Sequence, residues 1–250
     1  MNKTVLRVPI DPQRRGVPAS QLTLDKSLSI GYERLLSFLI FDNNSYSNIG
    51  KPIPFNFSLH FTLRDEAIIT DFMIAGVIRT SFGLVVTRKA VSFLAPYNLS
   101  SYQKYTAFVH HNNGAVTPIY WLYFHRLGDS VIDFGSMNTS INKHPYRLDN
   151  EVEFIKLRKR YEVIKNNIDT DLSIPLIDRF KLKKQLEDAA NPSYLYLKSS
   201  FSWSAYDLCC FKYGLEYYVS DRLRSSLLQS DLTGFELASV ESKYIFKESH

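Results

Sequence analysis

A chain of 250 residues is long enough to bury a core of its own, as one large domain or two small ones, and its 45% hydrophobic and 22% charged composition reads as ordinary globular protein. The formal charge of +5 is spread over interleaved acids and bases, which excludes a polybasic tail, so no nucleic-acid partner is expected. No apolar stretch approaches the length of a bilayer span, and Met1 to Asp11 lacks the apolar core of a signal peptide, so no membrane partner and a cytoplasmic location are expected.

The first fifty residues are poor in pattern, apart from Gly31 to Phe41, where Leu35, Leu36, Leu39 and Ile40 share one side of a short helix. Asn43 to Gly50 reads as a loop. From Ile53 the period changes to two: Phe55, Phe57, Leu59 and Phe61 alternate with Asn56, Ser58, His60 and Thr62, as on a half-buried strand. Ala67 to Phe72 fits a strand or a helix start, and Gly83 to Val86 fits a strand.

A repeat follows. Val219-Ser220-Asp221-Arg222-Leu223 and its continuation to Phe235 match the chain 133 residues earlier without a gap. Ser220 falls on Thr87, Arg222 on Lys89, Ser225 on Ser92, Leu227 on Leu94, Leu232 on Leu99 and Phe235 on Tyr102. In each copy Thr87 or Ser220 is placed to cap a helix, whose apolar positions are Ala90, Val91 and Leu94, or Leu223, Leu227 and Leu228. The helix ends near Asn98 or Asp231, and Tyr102 or Phe235 opens a strand. Ser101 stands where the second copy has Gly234, and Pro96 where it has Gln229.

Tyr105 to His111 and Ala115 to His125 flank Asn112-Asn113-Gly114, which predicts a hairpin with the type I′ turn that Asn-Gly prefers. Its second strand, with Ile119 to Phe124 apolar on both faces, belongs in the middle of a sheet. Ser130 to Phe134 reads as a short strand, while Val152 to Val163 fits strand and helix equally. Ser173-Ile174-Pro175 starts a helix that runs to Ala190 and stops at Asn191-Pro192. Tyr194 to Leu197 predicts a strand and Phe201 to Phe211 a short helix. The fold class is therefore α+β: mixed or antiparallel sheets, flanking helices and two related strand-helix-strand units. The sections expected are 1–52, irregular with a short helix, 53–145 and 146–250, the last two α/β units packed as one body.

Ten glycines occur, none in a phosphate-cradling spacing, and G-x-S-x-G, H-E-x-x-H and C-x-x-C are absent. Cys209 and Cys210 are the only cysteines, and neighbours in sequence rarely bridge, which fits a reducing compartment. His110 and His111 should point to opposite faces of a strand end, so they do not ligate one metal; His60, His125, His144 and His250 have no partner at fixed spacing. No metal or cofactor is expected. Asp129 and Asp133 are the carboxylates of interest, since Asp133 ends an apolar run where a raised pKa would suit a general base, although it equally caps a turn at Gly135-Ser136. The basic clusters Lys156 to Arg160 and Arg179 to Lys184 read as solvated faces.

The stretch Tyr217 to Leu237, with Val219-Ser220 leading into an amphipathic helix and Leu232-Thr233-Gly234-Phe235 leading out, resembles the C-terminal signature of bacterial immunity proteins from polymorphic toxin systems. Immunity protein 43 and its relatives are the similar grouping. Gly83 to Thr87, Tyr120 to Phe124 and Val131 to Phe134 add to the likeness, which covers roughly residues 80–136 and 213–240. The resemblance implies a protein that binds and neutralises one cognate toxin domain without catalysis. The alternative is a small intracellular enzyme using Asp133 or a histidine. The matching positions of the repeat are scaffold residues, so a toxin-binding surface is expected where the copies differ: His110, His111, Asn112 and Asn113 at the hairpin tip, and the loops around Asp129 and Asn138.

Overall fold

The computed structural model of the chain describes residues 3–9, 20–41, 51–76, 78, 83–128, 130–133, 138–141, 144–147, 163–168, 170–171, 173–182, 194–211, 216–239 and 245–248. Its strands are β1 (Thr4–Arg7), β2 (Leu22–Leu24), β3 (Leu59–Leu63), β4 (Phe72–Met73), β5 (Leu84–Val86), β6 (Tyr102–His110), β7 (Val116–Phe124), β8 (Asn138–Ile141), β9 (His144–Arg147), β10 (Tyr194–Leu197), β11 (Leu208–Cys210), β12 (Tyr217–Val219), β13 (Glu236–Ser239) and β14 (Ile245–Glu248). The helices include α1 (Tyr32–Leu36), which continues as a π turn over Ser37–Phe41, α2 (Arg88–Leu94) and α3 (Asp221–Gln229), besides the helical residues 163–168 and 176–182. The class is α+β.

The chain divides into one unit of residues 1–127 with 203–240 and another of 128–202 with 241–250. Boundaries at 52 and 145 do not coincide with this division. The reason is β1, which is hydrogen-bonded between β12 and β13 and so ties the first residues of the chain to its last fifth.

In the first unit, one sheet has the order β2-β3-β6-β7-β5-β4 and a second the order β11-β12-β1-β13. The β6–β7 hairpin is the longest pairing, from Tyr102 opposite Phe124 to His110 opposite Val116, and β7 lies inside the sheet as its two apolar faces require. One face, with Ala107, Val109, Ile119, Trp121 and Tyr123, packs under Leu35 and Leu39 of the α1 segment and Ile53. On the opposite face Leu84, Val86, Leu122 and Phe124 join Ala90 and Leu94 of α2 and Leu223 and Leu227 of α3 in a second core.

Both copies of the repeat fold alike, because the same chemistry sits at the same positions. Thr87 Oγ1 accepts from the Ala90 N–H and Ser220 Oγ from the Leu223 N–H, each an N-cap in extended conformation. The likeness extends beyond the aligned residues. Copy one is the sheet segment β4-β5-β7-β6 and copy two is β11-β12-β1-β13. Val86 pairs with Tyr120 as Val219 pairs with Thr4, and Gln103 pairs with Tyr123 as Glu236 pairs with Arg7. The third strand of copy two therefore comes from the N-terminus of the chain.

The copies also hold each other. Asp71, just before β4, accepts from the Thr87 hydroxyl at 2.6 Å and from the Thr233 N–H at 3.0 Å. Asp207, just before β11, accepts from the Ser220 hydroxyl at 2.6 Å and from the Asn98 N–H at 2.9 Å. Each carboxylate thus fastens the cap of its own copy to the segment after the helix of the other. Lys89 reaches Asp231 at 2.9 Å and Arg222 reaches the Pro96 carbonyl at 3.0 Å, repeating the exchange with cations.

Several local expectations change. The strand at 55–61 starts only at Leu59, because the parallel partner β6 pairs with Leu59 to Thr62; Phe55 and Phe57 pack on the core without joining a ladder. Ala67 to Phe72 contributes only Phe72 to a strand. Phe201 to Phe211 holds a single 3-10 turn at Trp203–Ala205 before β11, and Leu228 faces solvent rather than the core.

In the second unit β10 pairs in parallel with β14, β8 pairs with β9, and residues 163–168 and 176–182 are helical. Of the strand expected at 130–134, residues 130–133 are described and hold a single bridge, from Ile132 to Leu197; Phe134 lies outside the described residues. Most of Val152 to Val163 and the helix expected to 190 beyond residue 182 lie outside the described residues. Lys181 pairs with Asp178 at 3.6 Å on an exposed helix face, while Lys156 to Arg160, Lys183 and Lys184 lie outside them.

Candidate functional site

The hairpin tip is built by Gly114. Its φ of +84° is left-handed, and its N–H donates to the His111 carbonyl at 2.9 Å, while Asn113 keeps a negative φ. The result is the three-residue loop that the flanking strands predict, closed by a left-handed glycine in place of a type I′ turn. Asn113 Oδ1 accepts from the Ala115 N–H, which removes the need for a second left-handed residue. Asn112 donates to Asp65 at 2.9 Å, tying the tip to the turn that follows β3.

His110 and His111 turn to opposite faces. His111 Nε2 lies 2.8 Å from Thr117 Oγ1. His110 Nε2 lies 2.9 Å from Nδ1 of His60, whose Nε2 is 3.1 Å from Ser58 Oγ. Parallel pairing of β3 and β6 sets this contact: His60 sits opposite Phe108 and Thr62 opposite His110, so the two imidazoles meet diagonally. Their ring centroids are 5.2 Å apart, about the N···N distance plus two ring radii, so the nitrogens face head on. That is hydrogen-bond geometry, since two imidazoles on one metal would converge at an angle. His60 also stacks on Phe108, and the Ser29 hydroxyl and Asp25 N–H fix its backbone. Burial, then the facing His110, holds the His60 pKa below the usual histidine value, against the pull of Asp25. Hydrogen bonding by the Ser27 hydroxyl lowers the Asp25 carboxyl.

Around this pair, the described residues on the second face of the six-stranded sheet are partly or fully exposed. Phe108 is partly exposed, Val116 is 50% exposed, and Pro118 is exposed. The same face carries the second core farther along β7.

The remaining candidates lie elsewhere. Asp129 is outside the described residues, as are the side chain of Asn138 and the turn at Gly135-Ser136. Asn138 opens β8 opposite Arg147 in the second unit, so it does not belong to the unit of the hairpin tip. Asp133 donates its N–H to the Tyr196 carbonyl. His125 is packed against Tyr123, and burial lowers its pKa. The side chain of His144 and all of His250 lie outside the described residues. Cys209 and Cys210 are buried free thiols, and burial pushes Cys210 up to about 11, which makes it a poor nucleophile. Among the described residues no group of three or more His, Cys, Asp and Glu side chains could hold a metal ion, and no helix is long and apolar enough to cross a membrane.

The sequence marks His110 but neither Ser58 nor its contact through His60. Ser58 and His60 alternate on the polar side of one strand pattern, which is a local signal. The partner strand is fifty residues away and pairs in parallel, which is not.

Comparison of the chain with protein-family models finds no match, and comparison with curated proteins finds none either.

Proposed function

We propose that this chain binds one cognate bacterial toxin domain in the cytoplasm of the cell that makes both, and blocks it by surface complementarity, without a cofactor. The observation that carries the reading is the place of the hairpin within the repeat. Copy two takes its third strand from the N-terminus, so the β6–β7 tip has no counterpart there and is an addition to a shared scaffold. Scaffold residues that recur explain folding; an exposed feature that does not recur is free for recognition. The partly or fully exposed residues beside it supply what interfaces use at their centre, an aromatic ring, imidazoles and an aliphatic residue ringed by polar groups. The resemblance of Tyr217 to Leu237 to immunity proteins supports the same reading, and the +5 charge favours a partner with an acidic contact face.

Co-expression with a candidate toxin domain, taken from a neighbouring reading frame that encodes one, tests it. Growth is expected to be rescued and the two proteins to copurify in fixed ratio. Failure to rescue, or a partner with a strongly cationic contact face, counts against the reading. The enzymatic alternative is favoured by one arrangement, the contact of Ser58, His60 and His110, which can do chemistry that partner binding does not need.

A further inference from the structure

We propose that Ser58, His60 and His110 form a nucleophile, base and positioning residue able to accept an acyl group from a small activated ester. Partner binding does not require this activity, and either can fail without the other.

The warrant is the order of the contacts. Ser58 Oγ is 3.1 Å from His60 Nε2, and the other nitrogen of that ring is 2.9 Å from His110 Nε2. A serine hydroxyl is a weak nucleophile unless a base takes its proton, and the base must be held in the right tautomer by a third group. In the competent tautomer Ser58 donates to His60 Nε2 and His60 Nδ1–H donates to His110 Nε2, so His110 fixes which nitrogen of His60 is free. Burial keeps His60 neutral to a pH below the usual histidine value, as a base at neutral pH requires. The charged and titratable groups acting on it are His110 from β6 and Asp25 from the turn after β2. The backbone around the hydroxyl is set by reciprocal bonds between Ser58 and Ile30 at 2.9 and 3.0 Å. That pairing puts the exposed Ile30 beside Ser58, and Phe108 stacks on the far side of His60. Ile30 and Phe108 thus give the hydroxyl apolar neighbours among the described residues, which suits a short apolar acyl group on a good leaving group.

The step balances without a further reagent. Ser58 Oγ forms a bond to the acyl carbon as its proton passes to His60 Nε2. The ester C–O bond breaks, and the leaving alkoxide takes that proton. Water, deprotonated by the same imidazole, then releases the carboxylic acid and restores Ser58.

The whole chain, treated with a fluorophosphonate probe and assayed on 4-nitrophenyl acetate, tests the proposal. Labelling is expected at Ser58 by peptide mass spectrometry. Ester hydrolysis should fall about 100-fold in Ser58→Ala and in His60→Ala, the scale of a lost general base. Circular dichroism and thermal melting check that both variants fold. His110→Gln should lower the rate about tenfold and move the inflection of the pH profile upward, because the facing imidazole that depresses His60 is gone. A purely structural His110 would leave that inflection in place. Unlabelled wild-type protein, labelling at another residue, or hydrolysis that persists in Ser58→Ala, as free surface imidazoles would give, overturns the proposal.

Discussion

Asp71 and Asp207 are the residues on which the first unit turns. Each is under one tenth exposed and satisfies an N-cap hydroxyl and a backbone N–H of a distant segment. Hydrogen bonds to a charged group contribute about 1.5–3 kcal/mol, and a buried donor left without its acceptor adds to the loss, so Asp207→Ala should cost about 3 kcal/mol in urea unfolding. Ser220→Ala, which removes a cap while the carboxylate keeps its Asn98 donor, should cost about 1–2 kcal/mol. An equal cost for the two would show that Asp207 does no more than orient the cap. Gly234 is a third such position. Its φ is +84°, and a Cβ there would lie 2.1 Å from the Phe72 carbonyl oxygen. Gly234→Ala is therefore expected to destabilise by more than about 2 kcal/mol, through strain and a backbone clash together. Ser101 tolerates a side chain at the matching position of copy one because its φ is not left-handed.

Helix caps, apolar spacing and the strands around them were legible in the sequence, because each is decided within about ten residues. Thr87 and Ser220 cap as expected, and Ala90, Leu94, Leu223 and Leu227 are buried as expected. What was not legible depends on distance. Asp71 lies 16 residues before its cap partner and Asp207 only 13, so a longer connection in copy one shifts the acids out of the repeat frame. Nothing in Thr4 to Arg7 announces that it will lie between strands more than 200 residues away; only Val5 and Leu6 hint at burial. The His60–His110 contact has the same origin, a long parallel pairing with no local mark.

At the scale of elements, β1 is the piece that closes copy two. Val5 is fully buried and Leu6 nearly so, in the middle of the four-stranded sheet. A charge at Val5 would have to be buried without a partner, so Val5→Asp should unfold the sheet rather than fray one end. Limited proteolysis is expected to cut within residues 208–239 in this variant and not in the parent. If cleavage stays confined to the first few residues, β1 is an ornament and the duplicated architecture does not need it.

For the whole molecule, the titration of two partly buried imidazoles contributes to the pH response. His60 and His125 both have pKa values held below normal, so folding favours their neutral forms. Their stabilising effect is complete above the unfolded histidine pKa and is lost as pH falls from there toward the folded values. Melting temperature should therefore decline as pH is lowered from about 7.5 toward 5, around the unperturbed histidine value of about 6.5. His60→Gln should flatten part of that decline, and an unchanged slope would mean that His60 is not held below its usual value by its surroundings. Asp25 acts in a separate, more acidic window, since its carboxyl is lowered and its contribution fades only as pH drops through the carboxylate range.

The hairpin tip is where partner binding is proposed. Calorimetric titration of the whole chain with a candidate toxin domain, taken from a neighbouring reading frame that encodes one, checks this. The account predicts saturation at one to one, with affinity reduced about tenfold or more when His110 and Asn112 are replaced by alanine, as for residues at an interface centre. Absence of binding, or an affinity that these substitutions leave unchanged, would contradict it.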